Sequence, residues 1–214
     1  MGTGGPPVPP LNLVGDFGGG SMLLAFGILA ALIERQRSGR GQVVDAAIVD
    51  GVSSLMSLFA GLAATDAISM RRDRNLIGGA APYYRCYACS DGRYIAIGAL
   101  EPKFFAELTA RLGMEGDLFA QREDPASWDA LEAAFTRLFA TRTQAEWCDL
   151  LQAGDACFAP VLPLAEVPDH PHMKARASHV ELDGRLQSAS VPRFSRTPGA
   201  ARPSVDVQEA DDIW

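Results

Sequence analysis

A carboxylate followed by three glycines stands near the start of the chain, directly ahead of a long apolar run. Asp16 precedes Gly18, Gly19 and Gly20, and residues 18–33 contain no proline and no ionisable side chain. The charged residues that follow are typical of a helix that emerges into water. A helix start offers free backbone N–H groups and the positive end of the helix dipole, and glycine permits close approach to the backbone. The pattern predicts a helix with buried first turns and a place for an oxyanion beside Asp16.

Structural explanations of the same segment remain open. Asp is among the commonest N-cap residues, so on this segment alone a capping role for Asp16 is favoured over chemistry. Residues 16–18 spell the kinase triplet Asp-Phe-Gly, but only 15 residues precede it, which leaves no room for the other kinase loops. The glycines do not form the G-x-G-x-x-G pattern of dinucleotide-binding folds.

Composition and charge disfavour several classes of function. With 214 residues, 48% of them hydrophobic, the chain can bury a core as one large or two small domains. A net charge of −7 disfavours a nucleic-acid partner, because affinity for phosphate comes mostly from clustered Lys and Arg. The uncharged run is shorter than the roughly 20 apolar residues of a spanning helix and follows no basic segment. These observations predict a cytoplasmic protein without a membrane span.

Cysteine and histidine are the candidate metal ligands. Cys86 and Cys89 form a C-x-x-C pair, but the remaining two cysteines do not complete a typical zinc spacing. His170 and His172 stand two residues apart, with no third ligand at a helical or hairpin offset. Free thiols and a surface turn are therefore expected, and no metal site is predicted.

Hydrophobic periodicity predicts a mixed α/β chain that positions these residues. Helices are predicted at 18–33, 48–64, 102–113, 127–139, 144–151 and 167–177, and strands at 42–47, 82–89, 93–100 and 158–162. A charged, glycine-ended stretch at 69–79 indicates a linker or domain crossing. Thr143-x-x-Glu146 is a capping box that opens one of the helices.

Glu101 is the second candidate carboxylate. It stands between the second strand of the predicted hairpin and Pro102, which suits the first position of a helix. Side chains at strand-to-helix junctions commonly point into clefts, so Glu101 is either a site residue or a helix cap.

Six stretches of the sequence resemble family III (CaiB/BaiF-type) CoA-transferases, and within that superfamily the α-methylacyl-CoA racemases. They are spread over about residues 11–199 in the family's order, and the first and fourth are the most specific. The stretches are NLVGDFGGGSMLLAFGI (12–28), GRGQVVDAAIVDG (39–51), GGAAPYY (78–84), SDGRYIAIGALEPKFF (90–105), AEWCDLLQAGDACFAPVL (145–162) and PRFSRTPG (192–199).

The resemblance implies a two-domain subunit of α/β class that interlocks with a second copy. It implies a partial large, Rossmann-like domain with the catalytic aspartate helix at 1–75, a small α+β domain at 76–168, and a return segment and tail at 169–214. Family members have roughly 360 residues, so the N-terminal part that carries CoA-binding segments and a histidine base is missing. None of His170, His172 or His179 matches that histidine.

The resemblance also assigns roles to the two carboxylates. Asp16 matches the family's catalytic aspartate, which is the CoA-carrying nucleophile in the transferases and one acid/base in the racemases. Glu101 matches the glutamate that supports the opposing base of the racemases. Gly18 and Gly19 are expected to bind substrate by presenting N–H groups to an enolate oxygen. Burial of Asp16 beside apolar neighbours is expected to raise its pKa toward a useful value.

Three functions follow as hypotheses. The first is racemisation of 2-methylacyl-CoA thioesters, which needs two acid/base groups and a stabilised enolate. It needs no cofactor besides the coenzyme A of the substrate, and the apolar face of Ile48–Phe59 is the expected place for the acyl chain. The second is CoA transfer between carboxylic acids through an aspartyl-CoA thioester at Asp16. The third is a non-catalytic fragment that dimerises. The missing half predicts that the chain is inactive alone.

Overall fold

The computed structural model describes residues 6–114 and 116–203 of the chain. The chain divides into two compact units, Met1–Pro160 and Val161–Trp214. The first unit contains an N-terminal group of helices and a separate region of mixed sheet and helix. The second unit is small.

The first helical segment of the chain begins earlier than the sequence predicted. A π-helix spans Leu13–Met22 and runs directly into α1, Leu23–Ser38. Asp16 therefore lies inside a helical segment, three residues after its first residue. The helix ends as expected, because Gly39 adopts a left-handed conformation with φ 73° and its N–H donates to the Arg35 carbonyl.

The predicted second helix is confirmed as a pair. Helix α2 spans Ile48–Leu55 and α3 spans Ser57–Ala64, with Met56 as the single residue between them. The predicted strand at 42–47 is wrong, since these residues form no sheet ladder. Apolar, β-branched residues there favour extended backbone, but no neighbouring strand in the described part of the chain pairs with them.

The prediction that α1 starts buried is also wrong for this chain. Helix α1 has no buried residue, and Phe26 is 70% exposed and Leu29 60% exposed. Among residues 13–64, the buried positions are three glycines, Gly19, Gly20 and Gly51. An uncharged helix sequence predicts that the helix surface is buried, but it does not show whether the same chain or another segment buries it. The described residues leave this surface open.

The core of the unit is built from the second half of its sequence. Strands β1 (Tyr84–Ala88) and β2 (Tyr94–Gly98) form the predicted antiparallel hairpin, and β3 (Phe158–Val161) follows β2 in the sheet order. A short π-turn at Leu76–Ala80 precedes the hairpin. The helices are α4 (Pro102–Leu112), α5 (Asp117–Ala120), α6 (Trp128–Phe139) and α7 (Gln144–Leu151), with a 3₁₀ turn at Pro125–Ser127 before α6.

Aromatic side chains fill this core. Tyr87 on β1 packs against Phe139 on α6 with ring centroids 5.1 Å apart, and Phe139 packs edge-on against Trp147 on α7 at 5.2 Å. Burial raises the pKa of Tyr87 above its usual range, and its hydroxyl donates to the Pro82 carbonyl at 2.6 Å. The capping box predicted at Thr143 is confirmed and fixes the start of α7.

The second unit holds a hairpin and short helical turns. A 3₁₀ helix at Leu164–Asp169 and α8 (Pro171–Ala175) take the place of the single helix predicted at 167–177. Strands β4 (His179–Leu182) and β5 (Arg185–Ser188) pair antiparallel. His170 caps α8 through its Nδ1, as a surface turn would, and residues 204–214 of the predicted tail lie outside the described residues.

The architecture is therefore a mixture of helix and sheet. The Rossmann-like character of residues 1–75 and the boundaries at 75 and 168 stay predictions.

Candidate active site

The glycines after Asp16 form a close helix crossing. A methyl group at Gly51 of α2 would overlap the Gly19 carbonyl, and one at Gly19 would lie 2.9 Å from the Val52 nitrogen. The two helices therefore touch backbone to backbone, which only residues without a side chain allow. The close approach that the glycines permit is used by α2 of the same chain. This contact fixes the π-helix that carries Asp16.

Asp16 presents its carboxylate on an exposed surface. Its side chain is exposed, and so are its apolar neighbours Phe17 and Met22. The expected desolvation of Asp16 is therefore not provided by these residues within this chain. The Ser21 hydroxyl donates to the Asp16 backbone carbonyl at 3.0 Å, which ties the residue to the following turn.

The backbone N–H groups at Asp16 are not those of a free helix start. The Asp16 N–H donates to the Asn12 carbonyl at 3.1 Å, and the Phe17 N–H donates to the same oxygen at 3.3 Å. Because the π-helix begins upstream, the prediction of unpaired N–H groups at Asp16 and Phe17 is wrong. Gly18 is half-buried and Gly19 is buried against α2, and their role in binding substrate stays a prediction.

Glu101 lies where the sequence predicted, between β2 and α4. It is the N-cap residue of α4, and its backbone carbonyl accepts the N–H groups of Phe104 and Phe105 at 3.1 Å each. Its side chain makes no capping hydrogen bond and is exposed. The backbone of Glu101 thus performs the capping, which leaves the carboxylate available for a ligand.

The charge of Glu101 acts on the thiol of Cys157. Burial raises the pKa of Cys157, the charges of Glu101 and Asp155 raise it further, and Lys103 lowers it. Cys157 also lines an open cleft of about 510 Å³ along the sheet, whose other walls include Tyr84 and Gly98. Neither the cleft nor the electrostatic interaction between Cys157 and Glu101 had a signal in the sequence.

A single chain does not join the two carboxylates in one hydrogen-bonded site. Asp16 belongs to the exposed helices and Glu101 to the edge of the aromatic core, and no hydrogen bond between described residues links them. Within the described residues, no group of three or more His, Cys, Asp or Glu side chains could hold a metal ion.

The surface predicted to take an acyl chain is exposed and apolar. On α2 and α3, Val49 is 71% exposed, Leu58 66% and Leu55 48%. The continuous helix Leu13–Ser38 is also long and apolar enough to cross a membrane, with 6% of its apolar window buried. Length and composition alone do not distinguish a spanning helix from the core helix of a water-soluble protein.

Comparison with known proteins places the chain in a family. Residues 1–205 match CoA-transferase family III, and the chain belongs to this family. The architecture agrees, since a CaiB/BaiF family protein from Brucella suis shares the fold with a TM-score of 0.72 at 24% identity over 97% of this chain and 56% of that one.

The chain is most informatively compared with two kinds of curated relative. It is 40% identical to the alpha-methylacyl-CoA racemase of Mus musculus and 36% identical to that of Homo sapiens, each over 92% of this chain. It is 32% identical to the succinyl-CoA–D-citramalate CoA-transferase of Chloroflexus aurantiacus, also over 92%. The alignments cover 52%, 54% and 52% of these relatives, so the chain spans about half of their length.

The curated relatives that the chain matches therefore include both racemases and a CoA-transferase, within CoA-transferase family III.

Proposed function

We propose that this chain is the part of a 2-methylacyl-CoA racemase that carries Asp16 and Glu101. The observation that supports the racemase most directly is its 40% and 36% identity to two racemases, against 32% to a CoA-transferase. The reaction removes the α-proton of the thioester from one face and returns a proton on the other through an enolate.

Asp16 is one acid/base of this reaction. Its exposed carboxylate stands on a π-helix that the Gly19–Gly51 contact holds against α2. Closure by another surface would desolvate it, and desolvation raises the pKa of a carboxyl group toward the range useful for proton transfer. Phe17 and Met22, which are 51% and 66% exposed, are the residues that such a surface would cover.

Glu101 supports the base that works on the opposite face. The carboxylate is exposed, makes no capping hydrogen bond to α4 and carries a charge that acts on the Cys157 thiol. The opposing base itself is a histidine that we assign to the part of the relatives that this chain does not cover. Gly18 and Gly19 bind the enolate side of the substrate through the local backbone, and the acyl chain lies on the apolar face of Ile48–Phe59.

The site is completed either by a segment that corresponds to the uncovered half of the relatives or by an interlocked second copy of this chain. The exposed apolar residues of α1, including Phe26 and Leu29, are the surface it would cover. The Rossmann-like large domain would form by this association. The protein acts in the cytoplasm on an acyl-CoA thioester, with no cofactor besides the coenzyme A of the substrate.

The proposal is tested by α-proton exchange in deuterated water. The chain is incubated with each enantiomer of a 2-methylacyl-CoA, alone and as a chimera that follows the N-terminal half of the mouse racemase. We expect deuterium incorporation with the chimera and none with the chain alone. Rapid incorporation by the chain alone would contradict the need for the missing half, and a folded but inactive chimera would contradict the racemase.

A second candidate is CoA transfer between carboxylic acids, which the 32% identical transferase supports. There Asp16 would form an anhydride and then an aspartyl-CoA thioester. Hydroxylamine or borohydride added during turnover would then modify Asp16, whereas a racemase would leave it unmodified.

A further inference from the structure

A buried arginine holds the segment that leads into Glu101. Arg122 is 5% exposed and follows α5 in sequence. Its guanidinium donates to the Ala99 carbonyl at 3.1 Å and to the Leu100 carbonyl at 3.0 Å. Both acceptors lie directly before Glu101, so two charge-assisted hydrogen bonds fix the backbone that carries this carboxylate.

The guanidinium is itself held in one place. It lies 4.6 Å from the ring centre of Phe105 and 4.9 Å from that of Tyr83, as cation–π contacts require. It also forms an ion pair with Glu123, whose carboxylate is 2.9 Å away and 76% exposed. The Trp128 indole N–H donates to the Arg122 carbonyl at 2.9 Å, which locks its backbone as well.

The hydrogen bonds of Arg122 restrain the backbone directly before Glu101. Taking a guanidinium out of water is costly unless its donors are paired, so a buried arginine that contacts two successive carbonyls makes their position rigid. The Ala99 N–H also donates to the Tyr83 carbonyl at 3.0 Å, which leaves the segment little freedom. Glu101 directly follows these two residues, and its side chain is exposed to solvent.

We propose that Arg122 is the positioning residue of Glu101, which it holds in the orientation the reaction needs without touching substrate. This inference rests on the proposed function of Glu101. It adds to the junction between β2 and α4 a buried residue, Arg122, that lies 21 residues after Glu101 in the sequence. The alternative is that Arg122 only stabilises the core, with no effect on where the Glu101 carboxylate lies.

Cys157 reports the position of Glu101 without any substrate. Its reaction with iodoacetamide depends on its thiolate, and the Glu101 charge opposes thiolate formation, together with Asp155 and against Lys103. The rate at Cys157 is measured from pH 7 to 10 by peptide mass spectrometry in the intact chain. Each rate at pH 8 is divided by the rate at pH 10, because the ratio cancels changes in steric access.

The experiment is a double-mutant cycle between Arg122→Lys and Glu101→Gln. Removal of the Glu101 charge is expected to raise the ratio roughly two- to fivefold, the effect of one unit charge about 4–10 Å away in water. Arg122→Lys keeps the charge but loses the two-carbonyl fork, so it should raise the ratio toward the same value. It should add nothing when Glu101 is already Gln. Glu123→Gln, which removes the exposed partner of Arg122, should leave the ratio unchanged.

Additive effects of Arg122→Lys and Glu101→Gln, or a ratio unmoved by either substitution, would overturn the proposal. If the Arg122 variant does not fold, Phe105→Leu takes its place, since it keeps an apolar side chain and loses the cation–π contact. The same coupling is then expected at smaller size, and its absence overturns the proposal. If the two substitutions are coupled in the cycle but Glu101→Gln leaves α-proton exchange by the chimera unchanged, Arg122 still positions Glu101, and only the proposed function of Glu101 is rejected.

Discussion

Substitution of Gly51 by Ala tests whether the crossing of the π-helix and α2 positions Asp16. The added methyl group would overlap the carbonyl oxygen, the carbonyl carbon and the Cα of Gly19, all of them backbone atoms that cannot rotate away. Overpacking of this kind costs about 1–3 kcal/mol, and a backbone-to-backbone clash belongs at the upper end. Alanine regains about 0.5–1 kcal/mol in a helix interior. The net loss is therefore about 2–2.5 kcal/mol of local stability, roughly a 30- to 70-fold increase in local opening.

The assay is amide hydrogen exchange followed by mass spectrometry, because it resolves the N-terminal helices from the core. Peptides from 13–22 and 48–55 should exchange faster in Gly51→Ala, while peptides from α6 keep the wild-type rate. Gly61→Ala is the matched control, since a methyl group there meets no heavy atom within 4 Å apart from the adjoining residues and backbone of its own helix. It should slow exchange slightly. Identical exchange in the two variants, or equal loosening of α6, would refute the reasoning.

Three further predictions concern the core and its thiols. Thr143→Ala removes the cap of α7 and should lower the free energy of unfolding by about 1 kcal/mol at pH 7 in urea denaturation, whereas Thr143→Ser should keep most of it. The backbone N–H and the hydroxyl of Thr143 lower the pKa of Glu146. The part of the stabilisation that comes from the Glu146 carboxylate is therefore fully present above the ordinary carboxyl pKa and is lost as the pH falls through the lowered pKa. A difference in the free energy of unfolding between the wild type and Thr143→Ala that stays constant down to pH 2 would contradict the capping box. Leu131→Ala, at a fully buried position, should cost about 2–5 kcal/mol in the same assay, and a cost below 1 would contradict the packing of α6. Burial raises the pKa of Cys89 to about 11, so only a small fraction of its thiol is thiolate at pH 8. Iodoacetamide should therefore label the exposed Cys86 at least about tenfold faster than Cys89 at this pH. Equal labelling of the two thiols would contradict the burial of Cys89.

The elements that the sequence predicted correctly are those with local signals. The hairpin 84–98 has aromatic strand formers on both sides of an Asp-Gly turn, and α7 has its capping box. Pro102 marked the start of α4, which placed Glu101 at a junction. Each of these signals acts within a few residues, so the sequence alone contains it.

What the sequence could not show depends on distant partners. The strand predicted at 42–47 needs a neighbour that the described residues do not provide, and α1 needs a surface to cover it. The start of the helix moved because a π-helix forms ahead of Asp16, and its N-cap residue, Asn12, makes no side-chain capping hydrogen bond. Arg122 was missed because a lone arginine in a charged stretch carries no sign of burial; its two carbonyl acceptors become neighbours only in the folded chain.

The central claim is that Asp16 and Glu101 serve opposite faces of one α-carbon. Its most direct test is α-proton exchange in deuterated water by the chimera, measured separately for the two enantiomers of the substrate. Asp16→Asn should abolish exchange of one enantiomer and spare the other, and Glu101→Gln should slow the enantiomer that Asp16→Asn spares. Loss of the same enantiomer in both variants, or of neither, would contradict the account.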